Sequence, residues 1–252
     1  MNKIVFVTGA TSGIGRSCVF RFAGSGYDVI MAGRRSERLN EIENELKKKY
    51  SIDVYSLLLD VRQRESVDTA VKNLPGKFQQ IDVLINNAGL ALGLEPFDEG
   101  NPLKWERMLD TNVKGLINVS HAVVQLMIRN GSGHIINIGS VAGREVYPGG
   151  NVYSATKAAV DSLSKSMRID LLPHGIKVTQ IAPGAVETEF SLVRFDGDDE
   201  KARAVYDGFK PLHPDDVADV VYYVATMPPH VNINDLLLMP TAQAAATRVH
   251  RK

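Results

Sequence analysis

Near its start the chain reads Thr8-Gly9-Ala10-Thr11-Ser12-Gly13-Ile14-Gly15, a glycine-rich turn between a short apolar run and a helical pattern. The apolar run is Ile4-Val5-Phe6-Val7, which is typical of a buried strand, and helical spacing follows over 16–23. Glycines in such a turn let backbone N–H groups approach a pyrophosphate, and the helix N-terminus adds unpaired donors and a favourable dipole. A turn without a ligand is the alternative, but a strand before it and a helix after it favour phosphate binding. The residues that we expect at the phosphates are Gly9, Thr11, Ser12, Gly13, Ile14 and Gly15.

Short strand-like runs and longer helical patterns alternate along the rest of the chain, and no repeat or linker divides it. Some runs, such as Ile135-Ile136-Asn137-Ile138, are almost continuously apolar, which is typical of strands that helices cover on both faces. We therefore predict an α/β fold with a doubly wound parallel sheet in a single domain, 1–252. A charged, less regular segment near 188–214 is predicted to be a lid-like insert. The predicted strands are 3–7, 28–32, 53–59, 82–85, 134–139, 176–181 and 235–239.

Composition argues against several classes of partner. Lysine and arginine together number 29, as do aspartate and glutamate, so a net charge of zero gives no reason to expect nucleic acid or an anionic membrane. Cys18 is the one cysteine, which rules out an internal disulfide and a thiolate metal cluster and favours a small buried side chain. The six histidines lack metal-ligand spacing, so we predict no metal. A strand almost at the N-terminus leaves no room for a signal peptide, and no apolar run could span a membrane, so we expect a cytoplasmic protein.

Two arginines follow the second predicted strand. The chain reads Ile30-Met31-Ala32-Gly33-Arg34-Arg35, and the next acidic residue is Glu37. A dinucleotide with a free ribose 2′-hydroxyl needs an acidic acceptor near this strand end, whereas a 2′-phosphate needs arginine. Guanidinium groups also bind phosphate in a bidentate manner. Arg34 and Arg35 therefore favour NADP over NAD, with a solvated pair beside Glu37 as the alternative.

Tyr153 and Lys157 are four residues apart in a helical run, so their side chains share one helix face. A free tyrosine has a pKa of about 10, too high for a good base near neutrality. A neighbouring ammonium and an oxidised nicotinamide would favour the phenolate, and about 4 kcal/mol would lower the pKa by about 3. Tyr153 could then accept the proton of an alcohol or donate it to a carbonyl. Ser140, just after a predicted strand, could hydrogen-bond the substrate oxygen where charge develops.

Together these pieces resemble the short-chain dehydrogenase/reductase family over essentially the whole chain. The resemblance implies a Rossmann-type sheet with the strand order 3-2-1-4-5-6-7, and a catalytic site of Ser140, Tyr153 and Lys157. Besides the first turn, it is carried by motifs in family order and spacing: Asn86-Asn87-Ala88-Gly89, Asn112, Ser140, Tyr153-Ser154-Ala155-Thr156-Lys157 and Pro183-Gly184.

The resemblance also implies roles that spacing alone does not assign. Asn112 would support Lys157 through an ordered water in a proton relay, and Lys157 would also hold the nicotinamide ribose. Asp60 and Val61 would contact the adenine. Without the resemblance, Asn112 would be interpreted as a polar residue inside a helix. The other residues implied at the cofactor are Asn87, Ala88, Gly89, Tyr153, Pro183, Gly184, Val186 and Thr188.

A finer resemblance is to the NADP-dependent 3-hydroxy acid dehydrogenases within the family. It implies oxidation of short acids such as L-serine, L-allo-threonine and 3-hydroxyisobutyrate to 3-oxo acids, or reduction of aldehydes such as malonic semialdehyde. The direction of the reaction is left open. The segments that carry this resemblance are 86–93, 149–153, 188–191, 193–195 and 230–234.

A short acid needs a cationic partner for its carboxylate. Arg194 is the first candidate, because it lies in the irregular segment after the predicted nicotinamide-covering turn and has apolar neighbours. Arg144 is a second candidate, because it closely follows Ser140. The alternative for Arg194 is an ion pair with one of the aspartates nearby, Asp196, Asp198 or Asp199.

Two other functions fit the same fold. The first is a reductase of 3-oxoacyl groups carried on a protein, but such enzymes typically end the last strand with a glycine pair after an aspartate, which 236–241 lacks. The second is an NADP(H)-binding sensor or scaffold without turnover, which usually lacks a catalytic residue, and none is lost here.

The C-terminal segment 241–252 is polar and basic. In similar proteins this region tends to join subunit contacts, so the resemblance implies a homotetramer, which composition does not show. The remaining partner that we expect is a small hydroxy acid or aldehyde substrate.

Overall fold

A computed structural model describes residues 2–252, and its centre is a parallel sheet with helices on both faces. The strands are β1 (Ile4–Thr8), β2 (Asp28–Gly33), β3 (Val54–Leu58), β4 (Val83–Asn86), β5 (Gly133–Ile138), β6 (Ile176–Pro183) and β7 (Asp235–Leu238). Their order in the sheet is β3-β2-β1-β4-β5-β6-β7, and each neighbouring pair is parallel. The predicted doubly wound sheet and its order are therefore confirmed, with strand ends within two residues of the prediction.

Helices connect the strands, as parallel pairing requires. They are α1 (Gly13–Ala23), α2 (Ser36–Lys49), α3 (Arg64–Lys72), α4 (Pro102–Leu109), α5 (Gly115–Asn130), α6 (Asn151–Asp170), α7 (Glu189–Arg194), α8 (Asp199–Ala204) and α9 (Pro214–Ala225). A π-helical turn, Asp110–Lys114, joins α4 to α5 without a break.

Strand β1 shows how the sheet divides the core. Val5 and Val7 pack on the face that α1, α2 and α9 cover, whereas Ile4 and Phe6 pack on the face that α3 and α5 cover. Successive side chains of a strand point to opposite faces, so a strand covered on both sides must be apolar throughout. Cys18 on α1 is fully buried in the first of these layers, as predicted.

The C-terminal ends of the central strands place the site. β1, β4, β5 and β6 lie side by side in the sheet and run in the same direction, so the segments that follow them meet at one edge. Crevices at this edge are where open α/β sheets bind ligands. The glycine-rich turn, the Asn87 segment, Ser140 and the turn after Pro183 all lie there.

One region differs from the prediction, and one has a structure that the sequence did not predict. The 188–214 segment is not irregular throughout but contains α7 and α8, and the Thr188 side chain caps α7 by accepting a hydrogen bond from Phe190 N at 3.1 Å. The C-terminal segment is an antiparallel hairpin, β8 (Gln243–Ala245) and β9 (Arg248–Val249), which leads back onto its own chain at Gly208. Within residues 2–252 no helix has the length and apolar character to cross a membrane, and no His, Cys, Asp and Glu cluster could hold a metal ion.

Candidate active site

A cleft of about 330 Å³ runs along the C-terminal edge of the sheet. Most of the residues that were predicted to contact cofactor or substrate line it. Five of them do not: Gly13, Gly15, Asn112 and Arg194 lie beside the wall rather than in it, and Arg144 pairs elsewhere. The predicted residues in the wall are Gly9, Thr11, Ser12, Ile14, Arg34, Arg35, Asp60, Val61, Asn87, Ala88, Gly89, Ser140, Tyr153, Lys157, Pro183, Gly184, Val186 and Thr188.

Two glycines of the first turn are required by close backbone approach. Gly9 has a φ of +65°, and a Cβ there would lie 3.0 Å from Ala88 Cα. A Cβ on Gly15 would collide with the Gly9 carbonyl oxygen and the Asn87 side chain. Gly15 therefore packs against the turn on the side away from the cleft, and for this reason it does not line the cleft wall.

Thr8 is a site residue that the sequence analysis did not single out. Its hydroxyl accepts hydrogen bonds from the backbone N–H groups of Asn87 and Ala88, both at 3.1 Å. The Asn87 side chain in turn donates to the carbonyls of Thr8 and Gly9, at 3.0 and 3.2 Å. These bonds hold the segment after β4 against the phosphate turn, so they fix the relative position of two walls of the cleft.

The cofactor side of the cleft fits a phosphorylated dinucleotide. Ser12 does not cap α1 with its side chain, so the first-turn N–H groups of α1 are free to bind an anion. Arg34 and Arg35 lie in the wall, as a 2′-phosphate requires, and the buried Thr111 hydroxyl in the same wall has no partner. The Asp60 carboxylate accepts two bonds from Arg62 Nε, at 2.9 and 3.0 Å, and this pairing holds the pKa of Asp60 below its ordinary value.

Helix α6 brings Tyr153 and Lys157 together as their spacing predicted. The Lys157 ammonium lies 6.0 Å from the centre of the Tyr153 ring and donates a hydrogen bond of 2.9 Å to the Ile138 carbonyl. Ser140 Oγ accepts a bond of 3.1 Å from Ala142 N, which leaves its hydroxyl hydrogen free to point into the cleft. All three side chains are buried and line the cleft.

The pKa values in the site differ from the expectation for Tyr153. Burial raises the pKa of the phenol to about 12, and the group that opposes this most is the Arg194 guanidinium, followed by the Ser140 hydroxyl. Burial also lowers the pKa of Lys157 to about 8. Lys157 stays mostly charged at pH 7, but the cation that lowers the pKa of the phenol is Arg194.

Asn112 lies in the π-helical turn, and both polar atoms of its side chain are hydrogen-bonded. Oδ1 accepts from Leu90 N at 2.8 Å, and Nδ2 donates to the Leu90 carbonyl at 2.8 Å and to Thr156 Oγ1 at 3.0 Å. Asn112 Oδ1 and the Lys157 ammonium both lie next to Gly89, 3.3 and 3.6 Å from the position that a Cβ there would take. No sequence pattern predicted the π-helical turn, which places this amide against the segment after β4.

Arg194 ends α7 and lies over the aromatic side of the site. Its guanidinium carbon is 5.1 Å from the centre of the Tyr153 ring and 5.3 Å from that of Phe190. Its Nη2 donates a hydrogen bond of 2.7 Å to the Tyr147 hydroxyl, while Nε is buried and has no partner within residues 2–252. Tyr147 is a contact that sequence reasoning missed, because nothing in its local sequence distinguishes it.

The ion pairs in the structure decide between the alternatives for Arg194 and Arg144. Asp196 pairs with Lys104 and Asp198 with Lys201, and within residues 2–252 none of Asp196, Asp198 and Asp199 pairs with Arg194. Arg144 instead pairs with Asp235 at the start of β7, away from the cleft wall. Arg144 as a carboxylate partner was therefore a wrong prediction, since sequence proximity to Ser140 does not fix the direction of its side chain.

The family model for short chain dehydrogenases matches residues 3–198. The chain belongs to this family. It is 48% identical over 251 residues to the NADP-dependent 3-hydroxy acid dehydrogenase YdfG of Escherichia coli K12, covering 99% of this chain and 100% of that protein. It is also 46% identical over 245 residues to sulfoacetaldehyde reductase 2 of Chromohalobacter salexigens, covering 97% and 96%.

Solved structures that resemble this chain are dehydrogenases as well. The closed form of serine dehydrogenase complexed with NADP+ superposes with a TM-score of 0.93 at 48% identity, covering 99% of this chain and 100% of that one. An alcohol dehydrogenase from Thermococcus sibiricus, complexed with 5-hydroxy-NADP, has a TM-score of 0.85 at 27% identity over 96% and 98%. This short-chain dehydrogenase is accordingly an NADP-dependent oxidoreductase that acts on CH–OH groups, which confirms the predicted family, enzyme class and cofactor.

Proposed function

We propose that this enzyme oxidises short 3-hydroxy acids, such as L-serine, L-allo-threonine and 3-hydroxyisobutyrate, or reduces aldehydes such as malonic semialdehyde in the reverse direction. The observation that carries the substrate class is the Arg194 guanidinium beside Tyr153, with a buried Nε that has no protein partner. A buried donor without a partner costs free energy, and a substrate carboxylate would satisfy it. The cation is therefore placed to hold an anion next to the reacting oxygen.

The proton is exchanged by Tyr153 in this proposal. When bound, NADP accepts a hydride from the carbon that carries the hydroxyl, or NADPH supplies one to the carbonyl carbon. During oxidation the Tyr153 phenolate takes the hydroxyl proton and becomes the phenol, and during reduction the phenol donates that proton to the carbonyl oxygen. The Ser140 hydroxyl donates a hydrogen bond to the same oxygen, because its own acceptor capacity is partly used by Ala142 N.

Lys157 has two tasks in the proposed site. One of its N–H groups is bound to the Ile138 carbonyl, so two others are available to the hydroxyls of the nicotinamide ribose. With a pKa of about 8, the ammonium can also lose and regain a proton near neutral pH. The water between Asn112 and Lys157 stays a prediction, and Asn112 supports Lys157 in addition by fixing the backbone at Leu90.

The remaining contacts of the proposed site belong to the cofactor. Arg34 and Arg35 would hold the 2′-phosphate, the turn from Gly9 the pyrophosphate, and Asp60 with Val61 the adenine side. The turn after β6 would cover the nicotinamide.

Reduction of sulfoacetaldehyde is a second candidate, which the 46% identity to a sulfoacetaldehyde reductase favours. In sulfoacetaldehyde, as in a 3-oxo acid, one carbon separates the carbonyl carbon from the centre of the anionic group. A guanidinium binds the planar or tetrahedral oxygens of either anion. Arg194 is thus compatible with both substrates, whereas a carrier-bound 3-oxoacyl group has no anion at this position.

A steady-state panel with NADP and NAD tests the proposal. The substrates are L-serine, L-allo-threonine and 3-hydroxyisobutyrate for oxidation, and sulfoacetaldehyde and an acetoacetyl thioester for reduction with NADPH. We expect turnover of at least one short acid or sulfoacetaldehyde, with a preference for NADP over NAD. Turnover of the thioester alone would replace the proposal with the carrier-protein reductase.

The oligomeric state and location stay predictions of the family resemblance. We expect a homotetramer, to be measured by sedimentation at several protein concentrations, and a cytoplasmic enzyme, to be checked by cell fractionation.

A further inference from the structure

Glu189, the first residue of α7, joins the substrate side of the cleft to the cofactor side. Its Oε1 accepts a hydrogen bond from Arg38 Nη1 at 2.6 Å, and its Oε2 accepts one from Arg35 Nη1 at 3.0 Å. Arg35 immediately precedes α2, and Arg38 lies in its first turn. A single carboxylate thus ties the helix that carries Arg194 to the arginines at the end of β2.

The two adjacent arginines in the cleft wall are not equivalent. Arg35 donates to Thr11 Oγ1 from Nη2 and Nε, at 2.8 and 3.1 Å, and from Nη2 to Ser12 Oγ at 2.8 Å, besides its bond to Glu189. Arg34 forms no ion pair within residues 2–252, although it lines the same cleft. An anion that enters the cleft therefore finds Arg34 free and Arg35 already occupied by a carboxylate.

The Glu189 carboxylate is charged at neutral pH. Burial raises its pKa, but the bonds from Arg38 and Arg35 outweigh burial and hold the pKa below its ordinary value. A phosphate with nearly two negative charges cannot bind the same guanidinium groups without strong repulsion from this carboxylate. The phosphate and the Glu189 carboxylate therefore exclude each other from Arg35 and Arg38.

We propose that Glu189 competes with the 2′-phosphate of NADP for Arg35 and Arg38, so that the bound phosphate breaks the two ion pairs that tie the start of α7 to the start of α2. Glu189 is then a specificity-determining residue that lowers the affinity for the 2′-phosphate. It also couples binding of the 2′-phosphate to the position of Phe190 and Arg194, which belong to the same helix. NAD lacks the second phosphate and leaves the Glu189 bonds intact. The inference rests on Arg35 of the proposed cofactor site and on its neighbour Arg38, and not on the identity of the substrate.

Binding of two half-cofactors tests the competition. Adenosine 2′,5′-bisphosphate and adenosine 5′-monophosphate differ only in the 2′-phosphate, and calorimetry measures both without any turnover. We expect Glu189→Gln to bind the bisphosphate about fivefold more tightly than the natural protein, the size expected from two half-exposed ion pairs, and the monophosphate equally well. Weaker or unchanged binding of the bisphosphate in Glu189→Gln overturns the competition.

Glu187→Gln is a matched control that distinguishes loss of the Glu189 ion pairs from a change in net charge. Glu187 lies two residues earlier, is exposed and forms no ion pair within residues 2–252, so Glu187→Gln makes the same change of charge without the contact. We expect its affinity for the bisphosphate to change by less than twofold. An effect equal to that of Glu189→Gln would assign the gain to net charge and overturn the proposed contact.

Hydrogen exchange tests the release of α7. Neither half-cofactor carries a nicotinamide, so neither can draw the insert closed over that ring. In the natural protein, we expect the bisphosphate to speed exchange of the backbone amides in 189–194, and the monophosphate to leave it unchanged. In Glu189→Gln, these amides should exchange fast without any ligand. Equal protection of 189–194 by both nucleotides would overturn the coupling, whatever the substrate of the enzyme is.

Discussion

Tyr153 is held in a state that favours donation of a proton. Burial keeps its pKa at about 12 in the protein alone, so the phenol is protonated at any physiological pH. Arg194 and Ser140 already oppose this effect, and the positive charge of an oxidised nicotinamide would add to theirs. Reduction of a carbonyl can therefore start from the phenol as it stands, whereas oxidation depends on the cations gathered around it.

Removal of the Tyr153 hydroxyl tests the proton transfer. We expect Tyr153→Phe to lower kcat by about 10²- to 10⁴-fold, the usual contribution of a general acid or base. NADPH binding, followed by its fluorescence, should change little, because the ring and its contact with Phe190 stay in place. Turnover within tenfold of the natural enzyme would show that another group moves the proton.

Lys157 gives the stability a dependence on pH. Its pKa is about 8 in the folded protein against an ordinary 10.5, so between these values the unfolded chain binds more protons and stability rises with pH. Relative to Lys157→Met, the natural protein without cofactor should gain about 2 to 3 kcal/mol in free energy of unfolding from pH 7.5 to pH 10.5. Urea denaturation of both proteins at several pH values measures this gain, and parallel curves for the two would contradict the buried ammonium.

The π-helical turn between α4 and α5 is the element that ties the sheet edge to α6. Asn112 makes all its side-chain bonds there, to Leu90 and Thr156. We expect Asn112→Ala to lower the free energy of unfolding by about 2 to 4 kcal/mol, because buried partners are left unsatisfied. Thermal unfolding measures this, and Lys114→Ala in the same turn, whose side chain is exposed, is the matched control. A loss no greater than in the control would show that the contacts of Asn112 do not support the fold.

The elements were predictable to different degrees. Strand β1 was evident because burial on both faces demands continuous apolar residues, and the spacing of Tyr153 and Lys157 fixed their common helix face. The π-helical turn was not predictable, since it depends on how α4 and α5 meet rather than on local preference. Arg144 and Arg194 show the same limit, because tertiary contacts alone decide which of two arginines faces the site.

Across the whole molecule, the C-terminal hairpin supports the rim of the cleft. Gln243 Oε1 accepts a bond of 2.8 Å from Ala185 N, in the turn that would cover the nicotinamide. Arg251 donates to the carbonyls of Asp207 and Val205, at the far end of the insert. The basic tail that the sequence suggested for subunit contacts therefore also braces both ends of the insert within one chain.

Arg251→Ala tests this bracing, with Arg248→Ala as the matched control, since Arg248 is exposed in the same hairpin and forms no side-chain bond within residues 2–252. We expect Arg251→Ala to cost about 1 kcal/mol of stability and to speed tryptic cleavage after the exposed Arg203 in the insert. Equal cleavage rates in the two variants would show that the tail does not hold the insert.

The most direct test of the central claim measures whether Arg194 recognises the charge of the substrate. The two substrates are 3-hydroxyisobutyrate and its methyl ester, which lacks the charge, and the control is Arg203→Ala on the exposed face of α8. We expect Arg194→Ala to lower kcat/KM for the acid by about 30-fold or more beyond its effect on the ester, as loss of a desolvated charge pair does. The loss for the ester measures the part that Arg194 contributes through the pKa of Tyr153. Equal losses for acid and ester would contradict the assignment of Arg194 and, with it, the proposed substrate class.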